Sequence, residues 1–150
     1  MKSVDLVTSV PDLHTARILA SAGIPFISFK QNVSNLSEII SWIEGPEVFV
    51  QIIDPDLPIP QIGGLIIAYD WYEQYSFINK KILWLSYRSD VSIADGMIYA
   101  DSIIHVKTID PNHVQFYHYS FSNHENNHPT KYWLDYERDQ ALFDQLFLQS

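Results

Sequence analysis

The sequence predicts a single α/β domain of mainly parallel strands, on three observations. Short β-branched runs alternate with segments of helical period from Val4 onward, the pattern of strands joined by right-handed crossovers. The run "IPFISF" at 24–29 is almost continuously apolar, as a strand buried on both faces must be. A chain of 150 residues, 47% of them hydrophobic, builds one substantial core, and no low-complexity tract or linker divides it.

The elements follow in order. "VDLV" at 4–7 is a first strand ended by "TSVPD", where Ser9 and Asp12 have capping-box spacing and Pro11 sits in a first helical turn. Gly23 stops that helix, and "IPFISF" is the second strand. Asn35 and Glu38 repeat the capping-box spacing. Leu36, Ile39, Ile40 and Ile43 then mark one helical face, which Gly45 and Pro46 end. "EVFVQII" at 47–53 is a third strand. The following "DPDLPIPQIGG", with three prolines and two glycines, is a loop in place of a helix. "LIIAY" is a fourth strand, after which Asp70 and Glu73 cap a short helix whose Trp71, Tyr75 and Ile78 share a face. "ILWLSY" is a fifth. "SDVSIADGMIYA" reads as a weak helix, since Gly96 costs about 1 kcal/mol against alanine in a helix interior. "SIIHV" at 102–106 is a sixth strand and "HVQFYHYSF" at 113–121 a seventh. The polar "SNHENNHPTKY" is a loop, leading to a terminal helix with Leu142, Phe143, Leu146 and Phe147.

Composition limits the partners. Asp and Glu number 18 against 9 Lys and Arg, so the field at neutral pH repels phosphate backbones and anionic lipid, and no nucleic-acid or membrane partner is expected. With no cysteine there is no disulfide, thiolate nucleophile or thiolate metal site. Asp5 interrupts any apolar leader, and no run approaches the roughly 18 apolar residues of a membrane span, so a cytoplasmic location is expected.

The opening units carry a resemblance. "LVTSV" at 6–10, "HTARILASAG" at 14–23 and "FISF" at 26–29 resemble the start of the phosphoribosylanthranilate isomerase family, (β/α)8-barrel enzymes of tryptophan biosynthesis. "EVFVQI" at 47–52 is similar to that family's third strand and "ADSIIHV" at 100–106 to its sixth. A complete barrel needs roughly 200 residues or more. The resemblance therefore implies an abbreviated or incomplete (β/α) barrel of mainly parallel strands, lacking the helix after the third strand and most of the last units. An open doubly wound parallel sheet is the alternative.

Carried over by position, the family's general-base cysteine corresponds to Thr8, whose hydroxyl is too weakly acidic to serve unaided. Its general-acid aspartate falls near His105 and Val106. The arginine after the second strand has Lys30 as its nearest substitute, and the glycine-rich phosphate loops have no counterpart after residue 107. "IGGL" at 62–65 precedes the fourth strand and cannot stand in for one.

Parallel α/β folds act where strands deliver residues at their carboxyl ends. Those positions are Thr8, Lys30, Asp54, Asp70, Arg88, His105 and Lys107. Thr8, Asp70 and His105 are the candidate catalytic residues, and Lys30, Asp54, Arg88 and Lys107 the candidates for binding a small phosphorylated or carboxylated ligand. Strand ends are also polar simply because the chain leaves for water there, and Asp70 already has a helix to cap. His113, His118, His124 and His128 lack metal-ligand spacing, so neither metal nor cofactor is expected. Phe116, Tyr117, Tyr119, Phe121, Tyr132, Trp133 and Tyr136 are read as core that replaces missing barrel layers. Strands uncovered by an absent helix favour a homodimer. The function expected is a divergent, non-isomerising relative with an anionic ligand at the strand ends. A sugar-phosphate isomerase with relocated acid and base, drawn from Asp54 or Asp70, and a non-catalytic structural or interaction module are the alternatives.

Overall fold

A computed structural model describes residues 3–60, 63–68, 71–75, 82–86, 97–100, 114–119 and 131–148. Strand β1 (Val4–Thr8) leads to helix α1 (Leu13–Ser21), β2 (Phe26–Lys30), α2 (Leu36–Ser41), β3 (Glu47–Gln51), β4 (Gly64–Ala68), the single turn α3 (Tyr72–Tyr75), β5 (Ile82–Ser86), β6 (Met97–Ala100), β7 (Val114–His118), β8 (Lys131–Asp135) and α4 (Gln140–Phe143). A π-helical turn at Asp144–Leu148 extends α4. The strands pair in sequence order and β8 closes on β1. β1 to β5 form an all-parallel curled half. β8 is parallel to both β1 and β7, while β6 runs against both its neighbours. The fold is thus an abbreviated (β/α) barrel with one reversed strand, and closure excludes the open sheet.

Alternation along the strands separates two cores. Leu6, Phe49, Ile66, Phe116 and Trp133 meet inside the ring with Phe26 against them. The Phe26 ring lies edge-on to Phe116 at 5.7 Å, and Lys131 Nζ sits 5.8 Å from the Phe26 centroid. Outward-facing Val7, Ile27, Phe29, Val48, Val50 and Leu134 pack with Ala16 and Leu19 of α1, Ile40 of α2 and Phe143 of α4.

Several local expectations are corrected. Ser9 does not begin the α1 capping box. Ser9 is left-handed where a capping residue must be extended, so the cap falls to the extended Asp12, whose carboxylate accepts from the Thr15 amide at 2.8 Å. Gly23, at φ +81°, closes the helix: its amide donates to Ala20 O and the Ile24 amide to Leu19 O, a Schellman ending. Asn35 precedes α2 as expected but has a left-handed backbone and no side-chain cap, because a capping side chain needs an extended residue. Residues 97–100, assigned to a weak helix, form β6, paired Leu85 to Ile98 with β5. Residues 131–135, split between a loop and the approach to a helix, form β8, where Trp133 fills the barrel beside Leu6. The expected sixth strand at 102–106 lies outside the described residues. Between β3 and β4 the described residues hold no helix, as expected.

Candidate functional site

The carboxyl ends of β8, β1, β2 and β3 adjoin in that order, and each brings a polar side chain into the barrel mouth where its strand alternates inward. Below them the interior is apolar, so these groups bond to one another. The Thr8 hydroxyl donates to Asp135 Oδ1 at 2.8 Å, and the Ser9 hydroxyl donates to the same oxygen at 2.5 Å. Ser9 Oγ accepts from Gln51 Nε2 at 3.3 Å. Gln51 Oε1 accepts from the Ser9 amide at 2.6 Å and the Ser28 hydroxyl at 2.8 Å. The Ser9 amide fixes which end of the Gln51 side chain is oxygen, since an N–H needs an acceptor. Thr8, Ser9 and Ser28 are buried, whereas Gln51 and Asp135 are half-buried and form the outer layer.

Ser9 has φ +58°, a left-handed backbone that costs a residue with a Cβ about 1 to 3 kcal/mol. Its amide and hydroxyl bonds hold it there. The chain after β8 folds over the β1 end: the Tyr136 amide donates to Thr8 O at 2.8 Å, the Arg138 amide to Asp135 Oδ2 at 2.9 Å, and the Asp135 amide to Asp139 Oδ2 at 3.0 Å. The Arg138 guanidinium stacks over the Trp133 ring, 5.4 Å from its centroid, with Nε 3.6 Å from Asp139. Lys30 Nζ meets Glu137 Oε2 at 2.6 Å.

The structure brings Thr8 and Lys30, of the expected site residues, to this mouth. Thr8 is a hydrogen-bond donor within the cluster, and Lys30 is matched by Glu137. Asp54 lies in the loop after β3, where its carboxylate accepts from the Asp56 amide and its own amide donates to Gln31 Oε1. Burial first, then the charges of Asp54 and Asp56, hold the Tyr75 phenol above the usual tyrosine range. Asp70, Arg88, His105 and Lys107 lie outside the described residues, as do His113, His124 and His128.

No protein-family model, curated protein or solved structure matches this chain. Among the described residues, no group of three or more His, Cys, Asp or Glu side chains is placed to hold a metal ion, and no helix is long and apolar enough to cross a membrane.

Ser9, Ser28, Gln51, Asp135, Glu137 and Arg138 were not among the expected site residues. Gln51 was within reach, inside the strand anticipated at 47–53, which the structure ends at Gln51 itself. Asp135 was hidden by the missed β8, although "YWL" followed by an acidic residue is a strand-and-exit signal.

Proposed function

We propose that this chain is a non-isomerising barrel protein, related in its opening units to the phosphoribosylanthranilate isomerases, that holds a small ligand at the mouth formed by β8, β1, β2 and β3. The observation that carries the reading is the bonding of Thr8. At the position of the family's general base stands a hydroxyl whose proton is directed at Asp135, in a cluster organised to bind and orient rather than to take a proton from carbon. The mouth of a barrel is also where such folds place their ligands.

A turnover assay tests this. Incubated with phosphoribosylanthranilate, the protein is expected to convert none above the buffer rate. Conversion that disappears in Thr8→Ala or Asp135→Asn would establish an isomerase with relocated chemistry and overturn the reading.

The second reading, an interaction module that self-associates, has its own support. The loop after β3 exposes Ile53, Leu57 and Ile59, each about two-fifths accessible. The side chains facing outward from β3 and β4 are themselves buried, so this loop, and not bare strands, is the surface a second copy would cover.

A further inference from the structure

The hydrogen-bond inventory of the mouth leaves a specific remainder. A carboxylate offers about four acceptor positions and a primary amide two acceptor and two donor positions. On Asp135, Oδ1 is filled by the Thr8 and Ser9 hydroxyls, while Oδ2 takes only the Arg138 amide. On Gln51, Oε1 is filled by the Ser9 amide and the Ser28 hydroxyl, while Nε2 gives one N–H to Ser9 Oγ. Among the described residues, one acceptor position on Asp135 and one N–H on Gln51 are left over, on side chains that both bond Ser9 Oγ. Both are half-buried, above a floor of buried hydroxyls that fixes their orientation.

Charge narrows the complement. Each cation described at this mouth faces a carboxylate of the segment after β8, Lys30 with Glu137 and Arg138 with Asp139. Asp135 is bonded to two hydroxyls and an amide. An anion placed there would meet a carboxylate with the two cations described beside it, Lys30 and Arg138, already matched. An ammonium would satisfy Asp135 and confront the Gln51 N–H with no acceptor.

From these two facts we infer that the mouth recognises an uncharged hydroxyl-bearing ligand, a polyol or sugar, one hydroxyl donating to Asp135 and accepting from Gln51. A hydroxyl is donor and acceptor at once, and adjacent hydroxyls satisfy the pair with one group each. The inference rests on the mouth-site reading above and replaces the phosphorylated ligand expected from the resemblance with a neutral one.

The test follows backbone amide resonances of the 15N-labelled chain during titration with glycerol, D-ribose and D-glucose, and separately with ribose 5-phosphate and glucose 6-phosphate. Saturable shifts at Ser9, Gln51 and Asp135 are expected with at least one uncharged compound at millimolar concentration, its phosphate ester binding at least tenfold more weakly. Asp135→Asn and Gln51→Met should each weaken that binding about tenfold or more, a single lost hydrogen bond's effect. Glu38→Gln, on the outer helix α2, should leave it unchanged. If a phosphate ester binds tighter than its parent sugar, the neutral class is wrong and the mouth site stands. If none of the five compounds shifts these resonances, the mouth site itself fails and this inference with it. Because Asp135→Asn removes part of the β1–β8 closure, Gln51→Met carries the result should the former unfold.

Discussion

Ser9 joins backbone strain to polar bonding across the barrel in one residue, and the two can be separated. A left-handed residue without glycine's freedom is unfavourable by itself, so the amide bond to Gln51 and the hydroxyl bond to Asp135 must outweigh that cost. Ser9→Gly removes the hydroxyl but relieves the backbone. Ser9→Ala removes the hydroxyl and keeps the strain. In urea unfolding, Ser9→Ala is therefore expected to lose about 2 kcal/mol and Ser9→Gly about 1 kcal/mol or less. The reverse order would mean that the backbone at Ser9 is not held against its preference. None of this was legible from "TSVPD", where Ser9 has the spacing of a helix cap. The left-handed backbone of Ser9 decides the matter, and the partners of its hydroxyl then lie 42 and 126 residues away.

Elements with strong local signals are legible in the sequence, and those specified by distant partners are not. α1, β2 and β3 carry their own stops and apolar runs, and the structure has all three elements, with the start of α1 moved from Ser9 to Asp12. β6, "MIYA", shows no alternation of polar and apolar residues, and β8, "KYWLD", begins and ends on a charge. Their strand state comes from ladders with β5, β7 and β1, which no local window contains. The β8 side of the mouth is invisible to local patterning for that reason, because Asp135 ends β8 and the segment after it follows from there. At Gly63, before β4, the backbone itself requires glycine. "IGGL" is no phosphate loop: Gly63 has φ +85°, and a Cβ there would stand 2.9 Å from the Val48 carbonyl oxygen. Gly45, at φ +106°, has open space around it, with nothing within 4 Å of where a Cβ would stand. Gly63→Ala is accordingly expected to be more destabilising than Gly45→Ala by about 1 to 2 kcal/mol in urea unfolding. Equal losses would show that the β3 backbone gives way.

For the molecule as a whole, the dimer expectation now turns on the loop between β3 and β4. Light scattering should show a wild-type dimer that Ile53→Ser, Leu57→Ser and Ile59→Ser together convert to monomer, with folding retained because all three side chains are exposed. A wild-type monomer across the accessible concentration range would remove the support for self-association. Closure of the ring has another consequence. Thr8 pairs with Asp135 across the β1–β8 seam, so everything the mouth can hold depends on residues near the two ends of the described chain. At ribosomal rates of roughly 5 to 20 residues per second, Asp135 is made some 6 to 25 s after Thr8. Throughout that interval β1 presents an unpaired edge to its surroundings. The half-built barrel is thus open to wrong strand pairing until its last strand has been made.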